Sequence, residues 1–418
     1  MGISFSRHMK SLLIYIRASA LLVLIFIMFS FLSCLLPDEP VRKNIERSVQ
    51  YLEGISEYPE PIISGRKHSL DYYMDGLIMN MIYSIDNEEP FKSAMSGRSR
   101  QQGGPYTTQI DQLKYSIENK NLAPNVEYAR YWHGNTFFFR FFFMFMDYNE
   151  LKWFIYMITS LLLVVFTIVL YQNTGGLRTL GMISGLLMVN IYLMQFSMQL
   201  SPVLMIGIVA CFILNRRFRK RPETVPFVFF FAGAFVSYFD LLTAPLLTLG
   251  LPMLLWIGLE TKRSDHSILH SLKKLVQFGS LWSVAYAGIW GVKWLLTWPF
   301  IGYDIFKDVK AQVLLRASAV DNSRISAVAT NFNQLPLVVI NLILIVLLIL
   351  VIFRFNRRGI KQSVLYLAVA VLPFIWYLAT ANHSVYHFWY TYRNLGITVS
   401  GVFLAFISLI TFRKAEAG

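Results

Sequence analysis

The feature that most narrows what this chain can become is a recurrence of apolar runs, each close to twenty residues long. They fall near 18–36, 151–172, 179–196, 200–215, 224–240, 241–259, 275–298, 335–355, 363–380 and 395–412. A helix needs about 20 apolar residues to cross the hydrocarbon core of a bilayer. In lipid every backbone N–H and C=O must be satisfied inside the structure, which favours helices for runs of this length. The runs therefore predict an all-α polytopic integral membrane protein with about ten transmembrane helices. The range is eight to eleven, because 179–215 is broken only at Ser201-Pro202 and 224–259 only between Asp240 and Pro245. Composition agrees: 15% of the 418 residues are charged, against roughly 25% in soluble domains.

A net charge of +14 would raise the question of nucleic acid in a soluble protein. Here the basic residues cluster beside apolar runs, as in NRRFRKRPE (215–223), ETKRSD (260–265) and FRFNRRGIK (353–361). Such clusters mark cytoplasmic loops under the positive-inside rule, so no nucleic-acid partner is expected and membrane lipids are. Arg7, Lys10 and Arg17 precede the run ALLVLIFIMFSFLSCLL, which no A-x-A-like cleavage site follows; it reads as an uncleaved first span. Alternation from there puts both termini in the cytoplasm. The chain divides into a first helix (1–36), an extracytoplasmic helical loop region (37–150) and a bundle of about nine helices (151–418). Outer links lie near 197–200, 299–334 and 381–394. Cys34 and Cys211 sit inside apolar runs and form no CxxC motif. No P-loop and no GxGxxG leading into a soluble domain is present, which argues against a pump with its own ATP motor and against a kinase.

The polar chemistry gathers on the outer side. In HSLDYYMDGLIMNMIYSID (68–86), Asp71 and Asp75 are four apart, so a helix carries both carboxylates on one face. Like charges in a buried setting raise one pKa, and such a carboxylate can act as a general base. The alternative is a solvated helix start with Asp71 as a charge favoured by the dipole. Asp38 and Glu39, directly after the first span, form a competing acidic pair that also reads as interfacial charge. Arg130, Tyr131, Trp132 and His133 make a compact cluster, in which the Arg and His can hold a phosphate or a sugar hydroxyl. The following NTFFFRFFFMFM contains Arg140 and is too short to span, which suits an interfacial or re-entrant helix. The Gly-rich 96–109 stretch reads as a mobile lid or insertion.

Two intramembrane charges stand out, because the bilayer penalises them. Lys293 lies near the outer end of its span, either snorkelling or meeting an anionic headgroup, and Asp240 tops another, either paired structurally or binding substrate. In the link ANHSVYHFWYTYRN (381–394), His383 and His387 are four apart without the Glu of an HExxH motif, so a phosphate or sugar fits them better than zinc. Arg393 adds a permanent cation able to grip phosphate in two places. The residues indicate no cofactor, although a divalent metal stays possible.

The strings YARYWHG, SYFDLLTAPLLTLGLP, VKWLL and NHSVYHFWYTYRN resemble those of a family of bacterial multi-spanning proteins associated with cell-surface polysaccharide genes, from about Leu70 onward. More loosely, the layout resembles the C-type (GT-C) glycosyltransferases, which keep an acidic residue in the first large outer loop and use polyprenyl-phosphate-linked sugars. The resemblance implies a bacterial inner-membrane enzyme that passes a sugar from such a donor to a cell-envelope glycan or lipid acceptor. It gives Asp75 or Asp71 the base role and sets Lys293, Arg393 and Arg130 against the leaving phosphate. One departure is plain: the acidic pair of that class usually sits just after the first span, where this chain has Asp38-Glu39. Two rival classes remain. A transporter or flippase of lipid-linked intermediates would place polar residues near the midplane and show an inverted repeat, and a non-catalytic assembly partner would need a large exposed aromatic surface.

Overall fold

The structure is a computed structural model, and it describes residues 2–58, 62–63, 66–67, 70–105, 107–263, 266–319, 323–336 and 359–410; side chains are described from Leu12 onward, except at 62–67. The expected span at 335–355, the basic run after it and the C-terminal tail fall mostly outside these residues.

Helices dominate, and seven of them, among the described residues, are long and apolar enough to cross a membrane: Leu12–Cys34, Tyr148–Thr174, Ser201–Lys220, Pro222–Phe239, Ile268–Phe300, Ile360–Ala379 and Phe388–Leu409. The chain is thus an all-α multi-pass membrane protein. α1 (Gly2–Cys34) leads into a loop layer of short helices: α2 (Asp38–Leu52), α3 (Tyr72–Tyr83), α4 (Pro90–Ser96), α5 (Gln109–Glu118) and α6 (Gly134–Phe143). Two antiparallel strand pairs punctuate it, β1–β2 (Ile62–Ile63 with Arg66–Lys67) and β3–β4 (Arg98–Ser99 with Val126–Glu127). The bundle then follows as α7 (Tyr148–Thr174), α8 (Gly176–Met188), α9 (Ile191–Met194), α10 (Ser201–Lys220), α11 (Val225–Phe239), α12 (Leu247–Arg263) and α13 (Ile268–Thr297). After it come α14 (Ile305–Ala317), α15 (Arg324–Phe332), α16 (Ile360–Ala370), α17 (Leu372–Ala379), α18 (Ala381–Tyr386), α19 (Phe388–Thr391) and α20 (Leu395–Leu409).

Small residues let the bundle helices meet backbone to backbone, as in other membrane interfaces. A Cβ on Gly233 of α11 would stand 2.3 Å from the Trp282 carbonyl of α13, and one on Gly185 of α8 would stand 2.1 Å from Ser400 Oγ of α20. The outward sides of α1 and α7 leave large apolar residues uncovered, among them Leu24, Met28, Leu161 and Ile168. That pattern suits lipid rather than water. At one end of the bundle the helix termini are tied by polar contacts: Lys262 Nζ to Asn173 O at 2.7 Å, Arg263 Nη1 to Phe218 O at 3.0 Å, and Arg178 Nη2 to Gln362 Oε1 at 3.1 Å. The loop layer covers the opposite end.

Arg140 fixes that layer to the first span. It is buried in α6 and donates to the carbonyls of Ser33 at 3.0 Å, Ile82 at 3.0 Å and Leu36 at 3.1 Å, and to the Asp38 carboxylate. One guanidinium thereby ties the end of α1, the end of α3 and the start of α2 together. The 96–109 stretch is likewise held rather than loose over its first residues, since Arg100 is buried and donates from Nε to Leu122 O at 2.6 Å. A capping box at Thr108 and Asp111 then starts α5.

Candidate functional site

Where the loop layer meets the bundle, residues from eight separate stretches line a cavity of about 410 Å³. α3 supplies Tyr73, Met74 and Leu77, and β4 with the turn after it supplies Glu127, Tyr128, Arg130 and Tyr131. The turn after α11 brings Leu241 and Thr243, α14 brings Arg316, and the 381–394 link brings His383, His387 and Tyr390. Ser99, Gln101, Gln109 and Gln199 add to the polar lining. The three outer segments expected from the charge pattern, 37–150, 299–334 and 381–394, thus share one wall system.

Arg130 lies over the Tyr128 ring at 4.4 Å and donates from Nη1 to Asp308 Oδ2 at 3.3 Å. His383 and His387 sit with ring centres 4.7 Å apart, and His387 stacks on Tyr390 at 5.3 Å. Burial pushes the imidazole of His383 down to about 3 and that of His387 down to about 4, and the Arg316 charge adds to both. Both rings are therefore neutral at neutral pH.

Other sequence-selected residues stand behind the walls. Asp71 caps the N-terminus of α3, accepting from Met74 N at 3.0 Å; burial raises its carboxyl to about 6 against the pull of Met74 N and Arg393. Asp75, fully inside, accepts from Tyr148 Oη at 2.7 Å and Met198 N at 3.1 Å, and burial raises it to about 8. Asp240 accepts from Thr243 N at 3.0 Å and from the Thr243 hydroxyl, so it builds the turn that follows α11. Lys293 neither snorkels nor reaches the cavity: its ammonium donates to Met95 O at 2.6 Å, with the Trp132 ring 5.3 Å away. Trp132 donates to Ile289 O at 2.9 Å. His133, with φ of 57°, bonds through Nε2 to Tyr128 O at 2.5 Å, and burial lowers it to about 3. Arg393 is buried and donates from Nη1 to Trp389 O at 2.6 Å. Asp38 is spent on Arg140 and on Arg42 at 3.3 Å, whereas Glu39 is exposed.

Reading the sequence missed Glu127 and Arg316. Glu127 is the one carboxylate among the described residues lining the cavity, and it stands three positions before Arg130 in the cluster already singled out. Arg316 interrupts the apolar string VLLRA, which was a signal. Among the described residues no group of three or more His, Cys, Asp or Glu side chains is placed to hold a metal ion.

Several lining residues carry buried polar atoms that find no hydrogen-bond partner among the described residues. Arg130 Nε, Arg316 Nε and Gln199 Nε2 are donors, Gln109 Oε1 is an acceptor, and the Nδ1 atoms of His383 and His387 complete the group. An unmade buried hydrogen bond costs about 1–3 kcal/mol, so native proteins keep few of them. Their concentration around one cavity is what a polar ligand would relieve. Compared with known proteins, the chain matches no family model, no curated protein and no solved structure.

Proposed function

We propose that the protein is a membrane glycosyltransferase of the GT-C kind, which takes a sugar from a polyprenyl-phosphate donor and passes it to a cell-envelope acceptor. The observation that carries this reading is the mixed set of buried, unpartnered donors and acceptors carried by residues that line the cavity. A bare anion would satisfy the arginines and leave the acceptors unmet; a sugar phosphate has oxygens for the first and hydroxyls for the second. Tyr128, Tyr131 and Tyr390 add flat faces against which a sugar ring packs. A cavity at the junction of bundle and loop layer also suits a substrate whose tail stays in lipid.

The reaction is a direct displacement. The acceptor oxygen attacks the anomeric carbon, the bond from that carbon to the phosphate oxygen breaks, and the electron pair leaves with the lipid phosphate. Arg130 and Arg316 neutralise the charge growing there. The acceptor's proton goes to a carboxylate, and Glu127, which lines the cavity and accepts a long 3.4 Å bond from Gly302 N, takes that role ahead of Asp75 and Asp71, which stand behind the wall. In this reading the chain lies in a bacterial inner membrane with both termini cytoplasmic and the cavity on the outer face. Ten spans result when α8, α12 and the run at 335–355 are added to the seven long helices.

Transfer of a labelled sugar from polyprenyl phosphate, followed in proteoliposomes, tests the reading. Wild type should turn over, Arg316→Gln should fall by two orders of magnitude or more, and Glu127→Gln should abolish turnover. Turnover that survives Glu127→Gln but collapses in Asp75→Asn or Asp71→Asn would return the base role to α3. No transfer from any donor, with lipid still moved between leaflets, would make the protein a flippase.

A further inference from the structure

The backbone after α11 takes a course that leucine avoids. Leu242 has φ of 68°, in the left-handed region, which is strained for a non-glycine residue and persists only where the surroundings impose it. Asp240 imposes it: its carboxylate accepts from the backbone N–H of Thr243 at 3.0 Å and from the Thr243 hydroxyl, which closes the turn over Leu241 and Leu242. The turn presents the Leu242 carbonyl to His383, whose Nε2 lies 2.9 Å from that oxygen. A carbonyl oxygen only accepts, so Nε2 carries the proton, and in the neutral ring Nδ1 is left with a bare lone pair. That atom is buried and has no partner among the described residues, and its residue lines the cavity together with Arg316 and Tyr390. A second independent contact, the tilted His387 ring 4.7 Å away, limits the freedom of the imidazole to turn away.

We infer that His383 is the residue that reads the sugar: its Nδ1 accepts a hydrogen bond from a ring hydroxyl of the ligand, and Asp240 is a positioning residue that fixes the tautomer through the Leu242 carbonyl. The inference rests on the lipid-linked sugar phosphate reading of the cavity and divides its work. Arg130 and Arg316 hold the phosphate, which the donor shares with the spent lipid carrier. His383 distinguishes the two, since only the donor brings a hydroxyl. A site built this way binds the sugar-bearing lipid more tightly than the bare lipid phosphate and so releases the carrier after transfer. It also explains why an acid stands at the top of α11 without lining the cavity.

Glutamine and asparagine separate the two ring nitrogens. His383→Gln places an amide nitrogen near Nε2 and keeps the donation to Leu242, but has no acceptor at the Nδ1 position. His383→Asn places an amide oxygen near Nδ1 and gives up the tie to Leu242. Binding to the full-length protein in nanodiscs is measured for polyprenyl phosphohexoses (glucose, galactose and mannose) and for polyprenyl phosphate alone. Wild type should prefer at least one sugar-bearing lipid by about tenfold, the worth of one well-made buried hydrogen bond. His383→Gln should lose that preference while binding polyprenyl phosphate as wild type does, and His383→Asn should keep part of it. Asp240→Asn should weaken the preference without changing the affinity for the bare phosphate. An undiminished preference in His383→Gln overturns the inference and leaves the lipid-phosphate site standing, as does a wild type that binds all the lipids alike. Binding of none of them overturns both readings.

Discussion

Asp75 shows how far a single residue can depart from what its type suggests. It sits within α3 among Ile78, Met79 and Ile82, and its two oxygens face Tyr148 and the backbone of Met198. Burial raises its carboxyl from the ordinary value of 3.8 to about 8, so the folded chain holds a proton that the unfolded chain has released between those limits. Stability contributed by this group is present below about pH 4 and is lost as pH rises toward 8. Asp75→Asn offers the same contacts without the titration: its carbonyl accepts from Met198 and its amide donates to a reoriented Tyr148 hydroxyl. Thermal midpoints in detergent should therefore show the variant gaining on wild type as pH is raised from 5 to 8. A difference between the two proteins that stays constant across that range would mean that the carboxylate is not protonated in the folded state. His383 and His387, pushed the other way by burial, stay uncharged in the folded chain while the unfolded chain takes up their protons below about 6.5. They make stability rise with pH over the lower part of that interval, but the rise is common to both proteins and cancels in their difference. From the sequence, the four-residue spacing of Asp71 and Asp75 suggested a matched pair. The structure separates them because one falls at the helix cap and the other one turn inside, and only packing decides that boundary.

Helices and strands carry the next level of argument, and Arg140 is the clearest case. Its guanidinium serves carbonyls from α1, α3 and the link before α2, and pairs with Asp38. Arg140→Met leaves those acceptors without a donor and should cost about 3 kcal/mol. The loss should be local: hydrogen exchange in α2, α3 and α6 should quicken while α8, α16 and α20 stay protected. Uniform loosening of every helix would show that the loop layer and the bundle unfold as one unit. The short length of α6 was legible, because a ten-residue Phe-rich run with an arginine cannot span. The role of that arginine was not, since its acceptors come from segments 50 to more than 100 residues away. Lys293 makes the same point. Its place near the end of a long helix suggested snorkelling, but α4 packs over that end and takes the ammonium for its own last carbonyls.

At the scale of the whole molecule, two faces are set apart by the bundle, one holding the basic helix ends and the other the loop layer. Gly103 lies in the layer, exposed and with open space around it, and Lys220 lies at the basic end of α10. In a background with Cys34 and Cys211, both buried, replaced by serine, a membrane-impermeant maleimide added to right-side-out vesicles should label Gly103→Cys. Lys220→Cys should react only after permeabilisation. The reverse pattern would invert the orientation, and labelling of both in sealed vesicles would show that no membrane separates the two faces. The sequence by itself determined the class of solvent, because runs of about twenty apolar residues can satisfy their backbone in lipid only as helices. It also determined that the polar segments 37–150, 299–334 and 381–394 alternate with the basic loops, since charge and hydropathy are local properties. Only the tertiary structure decided which polar groups meet. Glu127, Arg316 and His383 converge through contacts among segments nearly 260 residues apart, whereas Asp75 and Lys293 are drawn behind the wall by partners more than 100 residues away and Asp71 and Asp240 by turns that each closes three residues on. Whether a charged side chain faces a cavity or is consumed by the frame depends on which carbonyls and hydroxyls the packing brings within about 3 Å, and that distance is written nowhere in the linear chain.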